Sequence, residues 1–249
     1  MARILNVDVT PLNFEETLLK ITNAIKEEVS LSHLAINAGK IVALQKDEKL
    51  YKSIVDADLV SADGMAIVWA SKLLGDALPE RVAGIDLMEA LVEVSSTEKF
   101  RIYFLGAKRE VIEQVVKIYR VKYGDHIIAG YRDGYFAEDE EQQIAQDIAS
   151  SNADILFVAI TSPKKEKFLN KYGKQMNVPF TMGVGGSFDV VSGLTRRAPL
   201  WMQQIGLEWF FRFIQEPRRM WKRYLFGNLR FTTLVFRQKL GIYKNPFEK

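Results

Sequence analysis

Short aliphatic or β-branched runs alternate along this chain with longer segments in which apolar residues recur at helical spacing. Ile4 to Val9, Leu34 to Asn37, Leu59 to Ala62, Arg101 to Leu105, Ile127 to Gly130, Ile155 to Ala159 and Phe180 to Met182 read as strands. Between them, Asn13 to Glu27, Lys40 to Lys46, Gly64 to Leu74, Ile85 to Val94, Glu110 to Tyr123, Glu138 to Ser150 and Lys164 to Met176 follow the period of amphipathic helices. This alternation predicts an α/β fold: a Rossmann-like, largely parallel sheet with helices on both faces.

The pattern changes near residue 196. Residues 1–195 are expected to form the α/β catalytic domain and residues 196–249 a C-terminal helical appendage. From Arg196 onward, twelve Lys/Arg face three Asp/Glu, a local balance of +9 that leaves −6 for the rest of a chain whose net charge is +3. Trp201, Trp209, Phe210, Trp221, Phe226 and Phe236 are interleaved with these cations, the mixture expected of a helix lying at a phospholipid headgroup boundary. A helix starting near Pro217 would put Arg219, Arg223, Arg230 and Arg237 on one stripe, and Trp221, Leu225, Leu229 and Phe236 on another side. An anionic membrane surface is the preferred partner. Packing of the aromatics on the parent domain stays open, and nucleic acid is disfavoured.

Composition narrows the chemistry. The 249 residues contain no cysteine, which removes thiol catalysis, cysteine-ligated zinc and disulfides and fits a reducing cytoplasm. The two histidines, His33 and His126, lie far apart in sequence and give a serine–histidine triad or a histidine metal cluster little to build from. No apolar run approaches the ~20 residues of a spanning helix. The expected location is therefore cytoplasmic, peripheral on the inner face of the cell membrane.

In open α/β sheets, ligands sit beyond the C-terminal ends of the strands, so the residues that follow each strand are the candidates. Asp63-Gly64 follows Leu59 to Ala62 and offers a carboxylate suited to general-base work. Gly106-Ala107-Lys108 opens a helix whose N–H groups could meet a phosphate. Thr161 to Glu166 starts another helix, with Pro163 in its first turn. The segment Gly183 to Asp189, with Gly185 and Gly186, permits close backbone approach and carries an acid suited to ribose hydroxyls. Asp56-Ala57-Asp58 matches a D-x-D metal pattern only weakly, because both carboxylates fall where a solvated turn is expected, and no metal or other cofactor is expected.

Taken in order, Asp58 to Met65, Arg81 to Leu87, Phe104 to Ala107, Gly134 to Phe136, Gly183 to Asp189, Arg197 to Pro199, Gly206 to Trp209 and Glu216 to Arg219 carry a family resemblance. The chain resembles, over nearly its whole length, the WecG/TagA/CpsF family of bacterial glycosyltransferases of wall teichoic acid, common antigen and capsule synthesis. The resemblance implies inverting, metal-independent transfer of a hexose-type sugar from a UDP donor to a sugar on a polyprenyl diphosphate. It assigns Asp63 as the base, places Asn37 and Arg81 in the same cleft, and gives Tyr135 and Asp189 to the uridine. Arg212 and Arg219 of the membrane-associated appendage would complete the site.

Two departures leave the donor open among N-acetylmannosamine, its uronic acid and glucose. Ala35-Ile36-Asn37 stands where the teichoic-acid branch has Thr-x-Asn, and Lys165 where it has glutamine. Lys165 would face a substrate carboxylate or lie solvated on its helix turn. A homo-oligomer stays open. The rival readings are a non-catalytic nucleotide-sugar or lipid-phosphate binding module and a nicotinamide oxidoreductase. The second lacks a G-x-G-x-x-G turn near the N-terminus.

Overall fold

The computed structural model describes residues 1–162 and 164–247, except for the side chains of residues 219, 220 and 222–225. Strands β1 (Ala2–Ile4), β2 (Val7–Val9), β3 (Leu31–Ile36), β4 (Leu59–Ala62), β5 (Ile102–Gly106), β6 (Ile128–Arg132), β7 (Ile155–Ala159) and β8 (Phe180–Gly183) come first. The helices interspersed with them are α1 (Phe14–Lys26), α2 (Ala38–Leu44), α3 (Glu48–Val55), α4 (Met65–Leu74), α5 (Gly84–Glu98), α6 (Arg109–Tyr123), α7 (Glu141–Ser150) and α8 (Lys164–Met176). Helices α9 (Ser187–Val191), α10 (Leu200–Gln204), α11 (Glu208–Gln215) and α12 (Pro217–Lys239) close the chain.

Strands β3 to β8 make one six-stranded sheet in the order β4-β3-β8-β7-β5-β6, with parallel pairing from β3 through β8, β7 and β5 to β6. This is the expected α/β architecture. Central strands β5 and β7 are almost continuously apolar and buried, as a strand covered on both faces must be.

The chain divides into two compact units. One comprises Met1–Phe14, Ala35–Ala83 and Arg197–Lys249, and the other Glu15–Leu34 and Gly84–Arg196.

Within the first unit, the expected single strand from Ile4 to Val9 is instead a hairpin, β1 pairing antiparallel with β2. Leu5 and Asn6 form its two-residue turn, with φ of 48° and 65°. A primed turn needs positive φ at both central residues, and Asn6 tolerates that conformation well. The helical list also passed over α3. Asp47 caps it by accepting from the Leu50 N–H at 3.0 Å, and Leu50 and Ile54 bury its inner face. Helix α12 begins at Pro217, as the sequence suggested, and packs on α2 and α4; Phe231 and Val235 are buried along it. Gln238 accepts from the Leu5 N–H and donates to the Arg3 carbonyl, both at 2.8 Å, tying the end of α12 to the hairpin.

In the second unit, Tyr103, Leu105, Leu156 and Val158 from β5 and β7 pack against Ile144, Ile148, Phe168 and Tyr172 from α7 and α8. Phe104 stacks on Tyr119 and meets Phe157 and Phe188 within 5.9 Å, centroid to centroid. Burying each such ring contributes about 1.5–3 kcal/mol before entropy is counted.

Candidate active site

In the first unit, backbone hydrogen bonds gather the candidates around the C-terminal ends of β3 and β4. The Asp63 N–H donates to the Ile36 carbonyl at 2.9 Å, which sets the residue after β4 beside the end of β3. The Val82 N–H donates to the Ala62 carbonyl, also at 2.9 Å, bringing the Arg81 segment to the end of β4. Asp63 is half-buried there. Asn37 caps α2, its Oδ1 accepting from the Lys40 N–H at 3.0 Å. A Cβ at Gly64 would lie 3.6 Å from that of Asn37, so the two turns run side by side. Asn37, Asp63 and Arg81 are thus brought together by main-chain geometry, with a carboxylate and a guanidinium at one strand end.

Arg81 is held by a carboxylate that sequence reasoning left without a role. Its Nη1 donates to Glu208 Oε2 at 2.7 Å, with both side chains more than four-fifths buried. The other oxygen of Glu208 lies 3.4 Å from Arg212 Nη2, one turn further along α11. The tail therefore delivers Arg212 to the neighbourhood of Arg81. The only signal available was the position of Glu208 inside Gly206 to Trp209, four residues before Arg212. Arg219 falls in α12, but its side chain lies outside the described residues, as does Pro163.

In the second unit, Gly106 ends β5 at φ +125°, and a Cβ there would come within 2.5 Å of the Ala159 backbone. Only glycine permits this approach. The Ala107 N–H then donates to the Ala159 carbonyl, and the Gly134 N–H to the Ala107 carbonyl. Those bonds join the Gly106 turn to the turn carrying Tyr135. The Tyr135 N–H is fixed by Asp133 Oδ1 at 3.0 Å while its ring stays 74% exposed, free to stack on a flat ligand. A polar cleft lined by Tyr103, Arg109, Arg132, Asp133 and Asp147 lies alongside. Burial, and secondarily the Asp147 carboxylate, lifts the Tyr103 phenol above its ordinary range.

After β8, Gly185 at φ +56° and Gly186 are exposed, and Asp189 Oδ2 lies 3.7 Å from where a Gly186 side chain would start. The Thr195 N–H closes the segment onto the Asp189 carbonyl. Lys165 is buried rather than solvated. It crosses Gly183 so closely that a Cβ there would sit 2.8 Å from its Nζ, and its ammonium pairs with Glu166 at 3.4 Å, each residue being 5% exposed. Neither Glu166 oxygen has a hydrogen-bond partner among the described residues. Asp56 caps the end of α3, and among the described residues no group of three or more His, Asp or Glu gathers as a cation site.

Comparison with known proteins covers nearly the whole chain. The description "Glycosyl transferase WecG/TagA/CpsF family" matches residues 2–245. The chain belongs to this family.

WecG/TagA/CpsF relatives include the N-acetylglucosaminyldiphosphoundecaprenol N-acetyl-beta-D-mannosaminyltransferase of Bacillus subtilis (strain 168), 37% identical over 201 residues that cover 81% of this chain and 77% of the relative. The protein of the same name from Bacillus spizizenii is 38% identical over 176 residues, 70% of this chain and 67% of its own. Among the described residues of this family member, no helix is long and apolar enough to cross a membrane.

Proposed function

We propose that the protein is an inverting glycosyltransferase that moves a hexose-type sugar from a UDP donor to a saccharide linked through diphosphate to a polyprenyl lipid. The observation that carries this reading is the placement of Asp63 and Arg81 by consecutive main-chain hydrogen bonds at the end of β4. The names of the two Bacillus relatives support the lipid-diphosphate acceptor.

In the proposed reaction, the Asp63 carboxylate takes the proton of an acceptor hydroxyl. The oxygen attacks the anomeric carbon from the face opposite UDP, the new glycosidic bond forms, and the bond to the UDP oxygen breaks with inversion. Negative charge grows on the departing diphosphate. Arg81 and Arg212, with Arg219 as the third candidate, would offset it, so the step as drawn runs through side chains and helix N-termini without a metal. The exposed Tyr135 ring, the Gly106 turn, Gly185-Gly186 and Asp189 are proposed to hold UDP, with Lys165 near the donor sugar. Residues 196–249 would dock on the anionic inner face of the membrane through exposed Trp201, Trp209, Phe226 and Phe236, with Arg230 and Arg237 beside them.

A panel of UDP-hexoses, including N-acetylmannosamine, its uronic acid and glucose, with a synthetic lipid-diphosphate N-acetylglucosamine acceptor tests this reading by mass spectrometry of the products. Addition of one hexose unit with release of UDP is expected from at least one donor. Intact acceptor with every donor, from protein that binds UDP, would contradict it.

A further inference from the structure

We infer that Glu208 is an internal stand-in for a diphosphate: a positioning residue that holds Arg81 and Arg212 aimed at one point and yields that point to the substrate. The inference rests on the proposed reaction and adds a residue to it.

The two oxygens of Glu208 take one guanidinium each, Arg81 at 2.7 Å and Arg212 at 3.4 Å. Each guanidinium makes a single contact to its own oxygen, and two N–H donors held about one pair of anionic oxygens can meet two oxygens of a diphosphate in the same way. The exposures differ in a telling way. Arg81 and Glu208 are 15% and 18% exposed, whereas the Arg212 side chain is 44% exposed and faces water. An incoming anion can therefore reach the Arg212 side of the triad first.

Glu208 contributes in two opposite directions. Without a ligand, its charge keeps two cations together that would otherwise repel. With a ligand, the same charge lies against the phosphate oxygens and weakens binding until the side chain swings off. A mere staple between α11 and the Arg81 loop would show only the first effect. An internal competitor shows both, and the second has a distinctive sign: neutralising Glu208 strengthens anion binding.

The test is titration of folded wild-type and Glu208→Gln protein with inorganic pyrophosphate, UDP and a water-soluble short-chain prenyl diphosphate. The amide keeps the shape and one hydrogen-bond acceptor. The variant is expected to bind pyrophosphate about 3- to 10-fold more tightly, the scale of one partly buried ion pair released. Adding Arg212→Gln should abolish the gain. A gain shared with UDP alone assigns the point to the donor, and one shared with prenyl diphosphate alone assigns it to the acceptor; either supports the inference. Unchanged or weaker pyrophosphate binding by folded Glu208→Gln overturns it. If that variant does not fold, the wild-type chain decides: pyrophosphate should shift the Nε–H resonances of Arg81 and Arg212 together, and no shift of either overturns the inference. Binding is read here rather than turnover, so failure of the transfer reaction and failure of this assignment are separable.

Discussion

The two compact units place their phenylalanines and tryptophans differently. In one, Phe104, Phe157, Phe168, Phe180 and Phe188 are fully buried. In the other, Trp69, Trp201, Trp209, Phe210, Trp221, Phe226 and Phe236 are at least 40% exposed. Helix α12 shows both habits along one axis: Phe231 and Val235 are buried, while Phe226, Leu229 and Phe236 stay in solvent. Apolar surface of this extent, flanked by cations, is costly to leave in water unless something covers it. Aromatic content alone did not separate core from surface: Phe104, Phe157 and Phe180 lie on covered strands, whereas the rings of α12 are divided by the side of the helix they occupy.

The largest expected difference is in stability. Phe157→Ala should cost about 3–5 kcal/mol, because a fully packed ring leaves a cavity, whereas Phe236→Ala should stay within about 0.5 kcal/mol of wild type. Urea denaturation of both variants decides, and equal costs would erase the contrast between the units.

A second set of variants sharpens the contrast from the surface side. Replacing Phe226, Leu229 and Phe236 together by Ser should weaken co-sedimentation with anionic vesicles about 10- to 100-fold while circular dichroism stays unchanged. Retained vesicle binding would reassign that face to another partner. Arg230→Gln and Arg237→Gln should have smaller effects, about 1 kcal/mol each at low salt, fading as ionic strength rises. Variants with the salt response of wild type would remove the electrostatic part of the membrane proposal. The smallest expected effect is that of excess EDTA on turnover, which should be none. Loss of activity restored by manganese or magnesium would revive Asp56 and Asp58 as candidate ligands.

Much of this architecture was legible in the sequence because period and punctuation agreed. Helices α4, α6 and α8 fall within a residue of their expected limits. Strands β4, β5, β7 and β8 precede the turns that were singled out. The hairpin at Leu5-Asn6 was hidden because an asparagine inside an apolar run resembles a polar position in one strand, and the turn needs only those two residues. Side-chain pairing was harder to read. Lys165 was open between facing a substrate carboxylate and lying solvated on its helix turn; it lies buried across Gly183 and against Glu166, and glycine there is what makes room for it. Glu208 lies 127 residues from Arg81, a separation that no local pattern announces.

The central claim is that Asp63 removes a proton from an acceptor hydroxyl during glycosyl transfer. Single-turnover transfer from a UDP-sugar to a lipid-diphosphate acceptor, comparing wild type with Asp63→Asn, measures that step, and UDP titration of the same samples controls for folding. The account predicts transfer slowed about 10²- to 10⁴-fold with UDP affinity nearly unchanged. Near-wild-type transfer by Asp63→Asn would contradict it.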